Sequence, residues 1–168
     1  GFDHIGRDIL SRIIFGTRIA LIVGLGATGI AVTIGVLVGA TAGYFGGWVD
    51  NLLSRAVDTL MAFPTLVLLI ALTAVVGPSL RTVVIVIGAT VWAQYARVVR
   101  ADTLSLRERD FTLAARVAGA TNTRIILRHL VPNVLGPVIV LASLAVGGII
   151  IYESTLSFLG LGIQPPEP

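Results

Sequence analysis

Leu130 to Tyr152 reads "LVPNVLGPVIVLASLAVGGIIIY", 23 residues without a charged side chain. A bilayer core about 30 Å thick takes roughly 20 helical residues, so this run is long enough to cross one. Its apolar residues do not alternate with polar ones, which excludes the strands of a membrane β-barrel. Three further charge-free runs accompany it, Ile19–Val49, Thr59–Leu80 and Thr82–Ala96. The last has 15 residues bracketed by Arg81 and Arg97. It falls short of a span unless those arginines snorkel or protein covers its ends. The runs predict an all-α, polytopic membrane protein with spans at about 19–43, 62–78, 81–98 and 131–152, and a polar loop at about 99–130.

Composition agrees. The chain is 55% hydrophobic and only 12% charged, against about 25% charged for a soluble domain. It has no cysteine, which excludes a disulfide framework, a thiolate metal site and a cysteine nucleophile. All twelve basic residues are arginine. A chain without lysine has no G-x-x-x-x-G-K-[ST] phosphate loop, so ATP hydrolysis by this chain is not expected. The serines stand in no nucleophile-elbow context. His4 and His129 are too far apart to form a ligand cluster, and His129 beside an arginine reads as polar surface rather than a proton switch. No cofactor is expected on this chain. The net charge of +3 is what basic loops give a polytopic protein, and no nucleic-acid partner is expected. The opening "GFDHIGRD" and the closing "GIQPPEP" show no signal peptide. The chain reads as a piece of a longer protein with further spans upstream and downstream.

Arginine placement orients the spans. Seven of the twelve lie between Arg97 and Arg128, with only Asp102, Glu108 and Asp110 against them, so the positive-inside rule makes this loop cytoplasmic. The loop around "YFGGWVDNLLSRAVD" is then cytoplasmic too, and the Gly77–Pro78 turn and both ends lie outside. Arg7, Arg12 and Arg18 sit on the wrong side for a strict rule, partly offset by Asp3 and Asp8. Gly35, Gly39 and Gly43 repeat every four residues on one helix face, where small residues let backbones approach. The favoured partner is a neighbouring helix of the same chain, ahead of another subunit. Pro64, Pro132 and Pro137 mark helix starts or kinks.

The loop itself has a pattern. Asp110 reads as a helix N-cap, followed by a stripe of Phe111, Ala114, Ala115 and Ala118 at helical spacing, with Thr112 and Arg116 off it. Gly119, followed by Ala120, falls where a helix ends in a left-handed residue. A second helix starts near Thr121 or Asn122, with Ile125, Ile126 and Leu130 as its apolar side. Such a knob-and-flat stripe suits a groove on another protein or a helix lying on lipid headgroups, and periodicity alone leans to the headgroups.

"AARVAGATNTRIILRHLVPN" resembles the EAA loop in transmembrane subunits of bacterial ATP-binding-cassette importers, with Ala114, Ala115, Gly119 and Pro132 at the matching positions. "GFDHIGRDILSRIIFGTRIAL", "AGYFGGWVDNLLSRAVDTLMAFP" and "ESTLSFLGLGIQPP" are similar to the dipeptide, oligopeptide and nickel permease subfamily, in its C-type subunit. The resemblance covers essentially the whole chain. It implies the type I importer permease fold, in the bacterial inner membrane. It also implies a coupling helix near 110–122 seated in a cleft of a separate ATPase subunit, which carries the ATP and magnesium. Further implied partners are a homologous second permease subunit, an extracytoplasmic substrate-binding protein and the lipid bilayer. Peptides are the expected cargo and nickel the alternative. One position departs from the family: the glutamate before the two alanines is Leu113. With Asp110 as cap, 113 is the third helical residue, where a glutamate closes a capping box and leucine does not.

Two other classes remain open. A self-sufficient secondary transporter or channel usually carries acids or polar breaks at mid-membrane depth, and the four runs hold no charge. A passive anchor explains the spans but not the glycine-bent loop. Glu153, at the end of the last span, is a candidate pathway residue, and its edge position equally suits an interfacial anchor.

Overall fold

A computed structural model describes Gly1 and residues 8–162; His4 and the closing "QPPEP" lie outside the described residues. Asp8 opens helix α1, Ile9–Phe45, as a true N-cap. Its carboxylate accepts from the Leu10 and Ser11 amides at 3.2 and 3.4 Å and from the Ser11 hydroxyl at 2.7 Å. At 37 residues α1 is about 56 Å long, more than a bilayer core needs, and the expected 19–43 segment is its middle and end. Gly46, at φ 64°, ends it and lets the chain turn at once into α2, Gly47–Ala62. This helix is amphipathic and carries Asp50, Arg55 and Asp58.

The second expected span is bent. Between about 62 and 78 the only helix is α3, Thr65–Val76, with 12 residues. That is about 18 Å, short of a core of roughly 30 Å. Pro64 has no amide hydrogen and forces Phe63 into extended backbone (φ −89°, ψ 138°), so α2 and α3 meet at a bend of 89°. Gly77, at φ 98°, stops α3 at its far end. Among the described residues, three helical stretches are long and apolar enough to cross a membrane, and the bent α2–α3 pair makes a fourth if it counts as one span.

The third expected span lies in α4, Leu80–Leu106, capped by the Ser79 hydroxyl. Its apolar run is the shortest, yet α4 is the most enclosed of the long helices. α1, α2, α3 and α7 (Val131–Phe158) all pack on it. Protein covers what the charge-free run is too short to supply. Val83, Ile87, Tyr95 and Val99 meet Val23, Ala27 and Ala31 of α1, Leu69 of α3 and Val134 and Val138 of α7 in one core. Three buried threonines are satisfied inside their own helices: Thr28, Thr73 and Thr90 donate to the carbonyls four residues back at 2.6–2.7 Å.

The glycine stripe packs on a helix of its own chain. A Cβ on Gly39 would stand 2.5 Å from the Ala96 carbonyl oxygen and 2.9 Å from Val99 Cβ. One on Gly43 would stand 2.7 Å from Thr103 Cβ, and one on Gly35 would overlap Tyr95. From α4, Gly88 returns the contact, with Ile30 Cβ 2.7 Å from where its own Cβ would be. At these levels α1 and α4 touch backbone to backbone.

Two ion pairs fix α2 to α4. Arg100 grips Asp50 with two hydrogen bonds, Nη2 to Oδ2 at 2.7 Å, and Ser54 adds a third at 3.0 Å. Arg97 meets Asp58 at 2.9 Å, but both side chains are more than half exposed, and such a pair contributes about 0–1 kcal/mol. The enclosed Asp50 pair is therefore the stronger tie. Bonding from Arg100 holds the Asp50 carboxylate below its ordinary pKa. That tie is complete above the ordinary carboxylate value and is lost only as the pH falls through the depressed one.

The loop expected at 99–130 is shorter as built. α4 runs on to Leu106, and helix resumes at α6, Asn122–Ile125, continuing through a π-helical turn, Ile126–Leu130, into α7. Pro132, second in α7, has no amide to donate. The π turn absorbs this by carrying the Val131 amide to the Ile126 carbonyl, while the Asn133 side chain donates to the His129 carbonyl at 2.6 Å.

Two alanine substitutions separate contact from helix propensity. Gly29 has nothing within 4 Å of a built Cβ, so Gly29→Ala is expected to be neutral or to stabilise by up to about 1 kcal/mol. Gly39→Ala is expected to destabilise by about 1–3 kcal/mol through overpacking against α4. Unfolding midpoints of the full-length protein in detergent check this; equal midpoints would contradict the close approach.

Candidate functional site: the loop between α4 and α7

Helix α5, Asp110–Val117, lies in this loop at the end of the bundle where α1 and α4 finish and α7 begins. Asp110 is not its cap. Arg109 takes the cap position, with extended backbone (φ −75°, ψ 149°) and no side-chain bond, and Asp110 is the first helical residue. Only three residues separate α4 from α5, and the Arg109 carbonyl already receives the Thr112 and Leu113 amides at 2.9 and 3.1 Å. Asp110 is left to act through its charge at the helix start. Leu113 is consequently the fourth helical residue, so the capping-box explanation of that position does not apply.

The alanine stripe does not face the bundle. Thr112, off the stripe, is the fully buried residue of α5. Its hydroxyl donates to the Leu106 carbonyl at 2.9 Å, tying α5 to the last turn of α4. Phe111, Ala114 and Ala118 are exposed, as are Leu113 and Val117, the latter at 90%. An apolar helix face thus points away from the rest of the chain. Ala115 is the stripe residue that turns inward, where with Ala120 it packs on Tyr44, Ile125 and Leu130.

Gly119 closes the helix at φ 79°. Its amide donates to the Arg116 carbonyl and that of Ala120 to the Ala115 carbonyl, both at 3.0 Å. These are the two bonds of a Schellman motif, with the apolar contact between its ends supplied by Ala115 and Ala120. Space is not the constraint, since nothing lies within 4 Å of a Gly119 Cβ. The backbone sign is: a side chain at this φ costs about 1–2 kcal/mol. Thr121 then caps α6 through its hydroxyl, 3.4 Å from the Arg124 amide.

Tyr44, near the end of α1, escaped the sequence reading. Its hydroxyl donates to Asn122 Oδ1 at 2.8 Å, and the Arg116 guanidinium carbon lies 5.7 Å from its ring centroid. No local signal pairs residues 78 positions apart. Thr112 was passed over because a small polar residue off an apolar stripe normally faces water.

Pro132 belongs to the start of α7 and joins the site only through the π turn before it. Glu153 is at the opposite end, about 33 Å along α7 from Val131. It is buried, and its carboxylate accepts from the Ser157 hydroxyl at 2.7 Å. Among the described residues no group of three or more His, Cys, Asp or Glu could hold a metal ion.

Apolar helices of span length, with a short helix tied across one end, define a multi-pass membrane protein. Residues 31–168 match the family described as binding-protein-dependent transport system inner membrane component. The chain belongs to that family. It is 45% identical, over its whole length and 55% of the relative's, to a dipeptide transport system permease protein of Alkalihalophilus pseudofirmus. It is 48% identical to an oligopeptide transport system permease protein of Haemophilus influenzae, over 99% of this chain and 53% of the relative. A nickel transport system permease protein of Escherichia coli is 40% identical over 99% of this chain and 60% of its own length. The chain spans about half the length of the curated relatives it matches.

Thr112→Val keeps the volume and deletes the bond to Leu106. It is expected to leave the bundle folded and to release α5 by about 1 kcal/mol. Hydrogen exchange at the 110–117 amides should speed up several-fold with exchange in α1 unchanged; unaltered exchange at 110–117 would remove the tie.

Proposed function

We propose that this chain belongs to a transmembrane subunit of an ATP-driven importer that forms the translocation pathway for di- or oligopeptides. In this reading α5 is the coupling helix, seated in a cleft of a partner ATPase on the cytoplasmic side of the inner membrane. Its outward apolar face carries the proposal: Phe111, Leu113, Ala114, Val117 and Ala118 are all exposed, Val117 at 90%. Leu113 then adds apolar surface to the docking face where the family's glutamate would stand. The ATPase subunits hold ATP and magnesium, and this lysine-free chain supplies no phosphate loop. A homologous permease and an extracytoplasmic binding protein complete the unit. Relatives named for dipeptide and oligopeptide transport are 45% and 48% identical, against 40% for the nickel permease, which favours peptide over nickel as cargo. Glu153, buried at the opposite end, is proposed to line the outer part of the pathway.

Chain motion follows from the connections. Closure of the ATPase dimer would push on α5, and the short links to α4 and to α7 would tilt the spans between inward- and outward-facing states. A secondary transporter is the weaker reading, since the apolar runs carry no charge at mid-depth.

Ala114→Trp places a large side chain on the exposed docking face without touching the bundle. The full-length variant is expected to insert normally but to lose most of the ATPase that co-purifies with the unsubstituted protein, and peptide uptake with it. Full retention of both would overturn the assignment of α5. Gly119→Val strains the left-handed bend and is expected to lower peptide uptake about tenfold, as about 1–2 kcal/mol of strain allows. Radiolabelled dipeptide and nickel ion uptake, run in parallel, separate the two cargoes.

A further inference from the structure

Displacement of α5 must reach spans that are not its neighbours in sequence. Covalent links carry it to α4 and α7 only. α1 lies 65 residues back along the chain, from Phe45 to Asp110, yet it is the helix most intimately packed on α4. Tyr44 joins α1 to both halves of the loop through its side chain. It is 7% exposed, with Phe45 edge-on to its ring at 5.2 Å. Toward α5 it presents its ring to Arg116; toward α6 it donates its hydroxyl to Asn122. Ala115, Ala120, Ile125 and Leu130 close around it. The neighbouring residue anchors the same spot from α4's end, since Arg107 Nη1 donates to the Gly43 carbonyl at 3.2 Å.

We propose that Tyr44 is a positioning residue for energy coupling: its bond to Asn122 and its contact with Arg116 make α1 a third arm that moves with α5. This rests on the importer reading above. The physical content is a contiguous chain of contacts from α5 through Tyr44 to the glycine face of α1, which a push on α5 loads at once. Without the Tyr44 bond, α5 rocks on its links to α4 and α7 while α1 lags, and ATP is spent with less substrate moved.

The test uses the full-length protein assembled with its ATPase in vesicles and reads peptide transported per ATP hydrolysed. Tyr44→Phe keeps the ring, the packing and the contact with Arg116, and removes only the hydroxyl. Its transport per ATP is expected to fall about two- to tenfold, the bias that one hydrogen bond of ordinary net worth can impose, with the amount of bound ATPase unchanged. Asn122→Ala should do the same, and the double variant should be no worse than either single one. Asn122→Asp, which keeps an acceptor oxygen, should retain the ratio. Asn122 is exposed, so its variants still decide the matter should Tyr44→Phe fail to assemble. A normal ratio in Tyr44→Phe or in Asn122→Ala, with ATPase bound, overturns the role of Tyr44 and leaves the importer reading standing. A loss of ratio in Asn122→Asp equal to that in Asn122→Ala overturns it too. Absence of any ATPase from the unsubstituted protein overturns both.

Discussion

Backbone contact between α1 and α4 governs this structure. Gly35, Gly39 and Gly43 place an uninterrupted flat face on α1, and α4 lies against it so closely that carbonyl and Cβ atoms of Trp92, Tyr95, Ala96, Val99 and Thr103 fill the space that side chains would take. In a membrane, where apolar side chains gain nothing by leaving lipid for protein, such close packing is a main source of helix association. It also solves a composition problem. α4 has the shortest charge-free run of the long helices, and wrapping it with α1, α2, α3 and α7 removes it from the lipid that its arginines would oppose.

The same contact sets the geometry of the loop. Gly43 is the last rung of the glycine face, and Tyr44 follows it in the last turn of α1, so the position of Tyr44 is fixed by how α1 sits on α4. Leu106, whose carbonyl receives Thr112, is fixed by the same pairing from the other side. α5 therefore rests on two points that belong to one packed helix pair. The Schellman bend at Gly119 then returns the chain to Ile125 and Leu130 under Tyr44. A short helix with its apolar stripe turned outward would be poorly determined by its own sequence; here its orientation comes from the anchors behind it.

Much of this was legible in the sequence, for physical reasons that differ by feature. Charge-free length identified α1, α4 and α7 because a charge at mid-depth is costly whatever the partners are. The glycine spacing was legible because it is a helical period. The left-handed bend was legible at Gly119 because a glycine follows the helical stripe directly after Ala118. What failed were features set by tertiary geometry. Pro64 is legible as a helix start or kink, but the 89° bend it gives between α2 and α3 is not. Asp110 looked like a cap because capping is read locally, whereas the three-residue link to α4 puts Arg109 in that place. The stripe of 111, 114, 115 and 118 reads as a surface for a partner or for headgroups, and only Ala115 departs from it by turning inward. Tyr44 and Asn122 carry no mark of one another.

The departure at Leu113 takes a different meaning once the helix start moves. At the third position a leucine forfeits a reciprocal cap; at the fourth there is none to forfeit, and the first turn is already satisfied by the Arg109 carbonyl. Leu113 is 40% exposed, equal to Phe111, and the two border Ala114 on the outward surface. Replacing a charged residue there by leucine enlarges the apolar area that any protein cleft would cover, and a fully covered glutamate would carry a desolvation cost that leucine does not. A cleft that accepts this loop is therefore expected to be apolar opposite position 113, and the identity of that residue becomes a matter of matching partner surfaces rather than of stabilising α5.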